Sequence, residues 1–338
     1  MPDRHSMLEK SKKILHQMGM NQALFTFLLF FFGSLLFIDQ FALSTNLINV
    51  FRQGALIFSF SIGMTITMLL SGLDLSIGAV GSLSSVVAAT LITSGNMFLG
   101  VLVGLIVGAL LGLSSGIAIA RFNVPSFIMT FGMMKIANGL SLEFTQGQAI
   151  YGFDNSFRFI GIGYVGPIPM PLLINFIVLL ILVFVLKNTV FGRSVYAVGS
   201  NKNAAKFSGI SYEFTIMVGY MLSGLFSAFA GLLLIARLGS AESIMGEEWS
   251  SQAIAASVLG GVSFAGGKGS IVGTAFGAMC VAILYNVLNL LGVDSLWQEF
   301  FIGLIILLIV SLDCIKTIWM KKHDAVRQLR KISEEVVV

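Results

Sequence analysis

Charge is scarce in this chain, and histidine is missing from every apolar stretch. Of 338 residues only 11% are charged while 56% are hydrophobic, against about 25% charged in an ordinary water-soluble domain. That balance excludes a soluble fold, because lipid rather than water must solvate most of the surface. The three histidines, His5, His16 and His323, lie in the terminal tails, so a serine–histidine or zinc centre inside the membrane is not available. Cysteine is equally sparse. Cys280 and Cys314 both fall within apolar runs, where a free thiol behaves as a small hydrophobe, and no disulfide framework is implied. The net charge of +4 is small, and the basic residues flank apolar segments instead of gathering on one face, which excludes a nucleic-acid surface. No catalytic residue and no metal site is expected.

What is present is length in apolar segments. A spanning helix needs roughly 20 mostly apolar residues, which places ten spans at about 23–40, 53–72, 78–94, 97–120, 125–143, 171–187, 214–236, 251–265, 270–291 and 297–315. The third and eighth are short and rich in Gly and Ser, so they read as broken or re-entrant segments buried in protein. Arg4, Lys10, Lys12 and Lys13 precede the first run without a convincing small-x-small site after it, and the run reads as an uncleaved first span. With the N terminus inside, the outer pieces hold only Arg52, Arg158 and Arg237. The inner pieces then hold every other Lys and Arg except Lys135, which falls within the fifth span. Basic residues favour the cytoplasmic side. The expected architecture is an all-α polytopic bundle of about ten transmembrane helices with both termini cytoplasmic. Residues 1–22 form a cytoplasmic segment, 23–315 the membrane domain and 316–338 a basic tail.

Two glycine motifs fail on inspection. GIGYVG (161 to 166) matches G-x-G-x-x-G, but prolines 167, 169 and 171 follow it and neither a preceding strand nor a following helix frames it, so no dinucleotide site is expected. GGVSFAGGKGS (260 to 270) has Val262 and Gly269 where a phosphate loop needs Gly and Ser or Thr. If ATP drives this chain, another polypeptide binds it. No cofactor is expected here.

From Gln53 to Ala120 the only charged side chain is Asp74. A lone carboxylate at membrane depth costs about 2.5–3.5 kcal/mol on insertion scales, so it must be paired, hydrated or shallow. Set in SGLDLSIG (71 to 78), it reads as a cap on the third helix at an inner turn, and the sequence leaves open whether it also touches substrate. Asn138, Ser141, Asn286 and Asn289, with Tyr285 nearby, are the other polar candidates for a pathway. Such residues serve equally as bonds between helices. Asp74 with Lys135 could alternatively begin a proton or ion relay, as a self-sufficient secondary transporter needs.

The cytoplasmic segment 188–213 is too polar to span. Within it Ser200 or Asn201 can cap a short helix over Asn203 to Ser208, which Gly209 ends. Ala204 and Ala205 would let a partner approach, and Lys202 and Lys206 stand four apart on one face.

SGLDLSIG (71 to 78), FGRSVYAVGSNKNAAKFSGI (191 to 210) and AIAASVLGGVSFAGGKGSIVGT (253 to 274), followed by NLLGV (289 to 293), resemble the permease subunit of bacterial ribose-type ATP-binding cassette importers. That group also carries other simple sugars and autoinducer-2. With the span pattern, the resemblance covers about residues 20 to 315. It implies a multi-pass protein of the bacterial inner membrane that pairs with a second permease copy or paralogue. It also implies a separate ATPase and an extracytoplasmic sugar-binding protein as partners, with a monosaccharide such as ribose as cargo. The 191 to 210 segment resembles the family's coupling helix, which carries Gly199, Asn201, Ala204, Ala205 and Gly209 over as ATPase-coupling residues. Ser200 and Lys202 depart from a second glycine and an acid common there, and Gln252 stands where relatives often have an acid. Glu247 and Glu248 just upstream either replace that acid or face the binding protein.

Overall fold

The computed structural model describes residues 22–304, 307, 308 and 311. The expectations for the basic tail, for residues 1–21 and for the inner end of the tenth span lie outside these residues. Residues up to Gly292 form one compact unit and those from Val293 a second.

In the first unit, α1 (Gln22–Phe37) is followed by a 3-10 turn and by α2 (Ser44–Leu69), α3 (Ile77–Thr93), α4 (Met97–Arg121) and α5 (Ser126–Thr145). A connecting segment carries α6 (Asn155–Ile162), and then come α7 (Met170–Asn188), α8 (Val190–Ser200), α9 (Lys202–Phe207), α10 (Tyr212–Leu238), α11 (Trp249–Leu259) and α12 (Ile271–Leu290). Two antiparallel pairs of two-residue strands complete it, β1 (Ile150–Tyr151) with β4 (Ser240–Ala241) and β2 (Tyr164–Val165) with β3 (Ile168–Pro169). The chain is an all-α polytopic membrane protein. Among the described residues five helices, α2, α4, α7, α10 and α12, are long and apolar enough to cross a membrane, with α1 and α3 as shorter apolar helices.

Buried α2 and α10 form the centre, α2 against α10, α11 and α12, and α10 against α3 and α4. Lipid tails are as apolar as leucine, so such packing is driven by close contact and interhelical hydrogen bonds, not by escape from water. The chain supplies both. Gly100, Gly104, Gly108, Gly112 and Gly116 recur every fourth residue along the buried face of α4. There Gly112 lies against Tyr220 and Gly224 of α10 so closely that a Cβ would strike backbone. Thr65 of α2 shares hydrogen bonds with Thr274 of α12 (2.7 Å) and Ser257 of α11 (3.1 Å), and Ser59 donates to Asn175 of α7 (2.8 Å).

The segment between α5 and α7 is ordered on this framework. Asp154 accepts from Ser156 N (2.8 Å) and starts α6, and those bonds hold its carboxyl below the usual range. Phe153 and Phe157 bury against α3 and α10, and Arg52 donates to Ile162 O (3.0 Å) while lying over the Tyr164 ring. GIGYVG runs through the end of α6 into the β2–β3 turn, a setting unlike a dinucleotide fold.

The eighth segment is shorter than the sequence suggests, ending at Leu259 and not near residue 265. Gly261 adopts φ +80°, its N–H bonds Val258 O (2.8 Å), and Val262 N bonds Ser257 O (3.0 Å). This is a left-handed glycine stop, and the chain beyond it is a loop to α12.

The second unit begins with a helix over 295–304, started by Asp294 accepting from Leu296 N (2.9 Å). Trp297 packs edge-on against Phe300.

Candidate coupling site and membrane break

The polar segment after α7 folds as two helices where the sequence suggested one. Thr189 caps α8 by accepting from Gly192 N (3.2 Å), and Asn201 caps α9 by accepting from Asn203 N and Ala204 N (both 3.0 Å). Gly209, at φ +78°, ends α9, with Ile210 N bonding Ala205 O (3.0 Å).

α9 has an inner and an outer face. Ala205 is buried against its own chain, whereas Ala204 and Ser208 are exposed and Phe207 is 92% exposed. Lys202 lies 4.1 Å from the centroid of the Tyr212 ring and donates to Asn123 Oδ1 (3.1 Å), and Lys206 lies over the same ring. The departure at Lys202 is therefore taken up by the α4–α5 turn and α10 of this chain. Nothing in the sequence singled out Phe207. A lone large aromatic in a short polar helix was the available signal.

The C terminus of α8 is locked to the interior. Gly199 sits against the carbonyl of Leu69 and the N–H of Gly267, leaving no room for a Cβ. Gly267 N donates to Leu69 O (2.9 Å), and the Ser71 hydroxyl reaches Gly199 O (2.8 Å) and Ala265 O (2.9 Å). Tyr196 donates to Gly269 O (3.1 Å), and burial pushes its phenol up to about 12, so it stays a neutral donor. Three sequence motifs thus meet at one point: the end of α2, the end of α8 and the 260–270 loop. Ser71 itself is left-handed, at φ +62°, a conformation that costs a non-glycine residue about 1 kcal/mol or more. Its two carbonyl partners hold it there.

From Ser71 the chain turns back into the protein as a break between α2 and α3. Leu73 N and Leu75 N bond the hydroxyls of Ser126 and Thr130 on α5 (3.3 and 3.1 Å), and Ser250 of α11 donates to Leu75 O (2.9 Å). Asp74 is 2% exposed. Its Oδ1 accepts from Ser76 N (2.9 Å) and Ser76 Oγ (2.6 Å), and its Oδ2 accepts from Ser223 Oγ of α10 (2.6 Å). Ser223 packs on Gly63, six residues before the end of α2, a depth of about 9 Å at 1.5 Å per residue. Asp74 is thus folded back into the protein instead of lying at an exposed turn. It caps the residue preceding α3 and ties that residue to α10.

The other pathway candidates are dispersed. Asn286 forms a reciprocal amide pair with Asn46 of α2 (3.0 and 2.7 Å), a bond between helices. Asn289 is exposed further along α12, and Asn138 is half-buried on α5. Ser141 is fully buried. Gln252 donates to Tyr285 Oη (2.8 Å) and Glu248 Oε2 (3.2 Å), so one nearby acid does meet the departure at 252, while Glu247 faces outward. Asp74 and Lys135 do not meet, since Lys135 lies over the Phe131 ring on the exposed face of α5.

An all-α membrane bundle with a two-helix appendage wired to an internal break fits a permease. Residues 46–310 match the family described as branched-chain amino acid transport system / permease component, and the chain belongs to that family. It is 40% identical over 312 residues to the ribose import permease protein RbsC of Bacillus subtilis (strain 168), which covers 90% of this chain and 97% of that protein. It is 35% identical over 278 residues to the D-allose transport system permease protein AlsC of Escherichia coli (strain K12), across 81% of this chain and 85% of that one. The galactose/methyl galactoside import permease protein MglC of the same strain is 35% identical over 291 residues, 80% of this chain and 87% of its own length. No solved structure matched the chain. The chain is a multi-pass permease of the bacterial cell membrane.

Proposed function

We propose that this chain is the membrane-spanning subunit of an ATP-driven importer for a monosaccharide, with ribose the leading substrate. It takes its energy from a separate ATPase bound beneath α8 and α9. The observation that carries this reading is the two-faced α9. Its inner face is closed by buried Ala205 and Ala204, Phe207 and Ser208 are exposed, while α8 just before it is fastened to the membrane break through Gly199, Ser71 and Gly267. Closure of an ATPase around the outer face would shift α8, and α8 moves with the Ser71–Asp74 segment that positions α3 against α10. Relatives that import ribose and galactosides, by their names, favour a sugar as cargo. A second permease copy or paralogue completes the pathway, and an extracytoplasmic binding protein delivers the sugar.

In vesicles, concentrative uptake of radiolabelled ribose is expected only when the ATPase and the binding protein are both co-reconstituted and ATP is inside. Uptake by the chain alone, collapsing with an uncoupler, would refute the reading and favour a secondary transporter. Exposed aromatics in such contacts anchor binding, and truncating one typically costs about 2 kcal/mol or more. Phe207→Ala should therefore weaken capture of the purified ATPase by at least about tenfold without moving the permease's melting midpoint. Unchanged capture would place the ATPase elsewhere.

A further inference from the structure

Lys135 is where the structure departs furthest from a lipid-facing bundle. It stands near the middle of α5, nine residues from Ser126 and ten from Thr145, about 14–15 Å from either end. That is further than a lysine side chain can reach to find headgroups. Yet it is exposed, and no carboxylate pairs with it among the described residues. Among the described residues it lies over the Phe131 ring, 5.6 Å from its centroid. A cation so placed cannot rest in hydrocarbon, so this face of α5 must meet water. The same face carries Gly132 and Gly139, one turn to either side, and a Cβ at either would touch nothing in this chain. Glycine weakens a helix interior, and here no internal packing asks for it. The room it leaves lies beside the ammonium.

We propose that this face lines a water-filled path between two copies of the chain, and that Lys135 is a specificity residue whose fixed positive charge admits neutral polyols and turns cations back. The proposal rests on reading the chain as half of a sugar pathway. In a two-fold pair the same face of each copy contributes to the shared surface, and an ammonium there with no carboxylate beside it on its own chain needs water around it. A positive constriction is a known physical means of rejecting protons and metal cations. An importer needs such rejection, because a polar path wide enough for a sugar would otherwise leak ions. A neutral sugar loses nothing to the charge and can accept hydrogen bonds from it.

The test uses the full chain in proteoliposomes, with Cys280→Ala and Cys314→Ala removing the native thiols and Gly139→Cys supplying a reporter one turn from Lys135. Labelling rates are measured with anionic sulfonatoethyl methanethiosulfonate and cationic trimethylammonioethyl methanethiosulfonate. Both should react, the anionic reagent relatively faster, and adding Lys135→Gln should lower the anionic-to-cationic rate ratio at least fivefold. Leu180→Cys, on the exposed face of α7, should react with neither, and a bifunctional maleimide should join two chains through the reporter at residue 139. Failure of both reagents at residue 139, an unchanged ratio, or absence of the cross-link would overturn the proposal. If Gly139→Cys does not fold, Gly132→Cys serves as the reporter, with the same outcomes decisive. The ratio does not depend on how transport is energised, so a failure of the ATP-driven reading and a failure of this one are read separately.

Discussion

Gly199→Val is expected to lower ATP-driven uptake by at least tenfold while the permease still captures its ATPase. The reason lies in what surrounds the missing side chain. A Cβ at residue 199 would collide with the Leu69 carbonyl and crowd the Gly267 N–H, and both are backbone atoms fixed by their mutual hydrogen bond. Overpacking of this kind typically costs about 1–3 kcal/mol, or about 2–6 °C in melting midpoint for a protein of this size. That is a small change in stability with a large change in linkage, because relief of the clash must separate α8 from α2 or break the Ser71 hydroxyl's bond to Gly199 O. The exposed face of α9, carried by Ala204 and Phe207, is untouched. Hydrolysis by the docked ATPase should therefore continue without sugar movement, read as phosphate release per sugar accumulated. A variant that transports at the parental ratio would show that α8 does not transmit motion through this contact.

Composition, span spacing and glycine stops carry most of the fold in the sequence itself, since helices in lipid must satisfy their own backbone and so announce themselves as long apolar runs. The short α9 was legible because Asn201 and Gly209 are a cap and a stop with local mechanisms. Depth was not legible. Asp74 lies within an apolar frame that reads as an inner turn, and only the return of residues 71–76 into the protein, held by hydroxyls from α5, α10 and α11, shows that it is internal. Those partners are 53 to 175 residues away, beyond any local pattern. The glycine repeat along α4 was legible in principle as a four-residue period, and it marks the close packing on α10. Which of the conspicuous residues face a partner was not. Gly199 and Ala205 are turned into their own chain, while Phe207 carries the exposed surface.

Asp74→Ala should be the most destabilising single substitution in the break, and the comparison with Asp74→Asn is what gives it meaning. The two hydroxyl contacts at 2.6 Å are as short as hydrogen bonds to a charged acceptor, each worth about 1.5–3 kcal/mol. Alanine removes the acceptor for Ser76 N, Ser76 Oγ and Ser223 Oγ together, deep in the protein where water does not replace it. Each buried donor left without an acceptor costs about 1–3 kcal/mol, or roughly 2–6 °C in melting midpoint for the purified permease in detergent. Asparagine keeps one oxygen for Ser76, and its amide can donate to the Ser223 hydroxyl, which then turns to another acceptor. Its cost should stay near 1 kcal/mol. Uptake is expected to follow the same order, nearly lost with alanine and largely kept with asparagine, because Asp74 acts by holding α3 to α10. If alanine instead leaves the midpoint unchanged and abolishes only uptake, the carboxylate handles the sugar itself, and the break must open to expose it during transport.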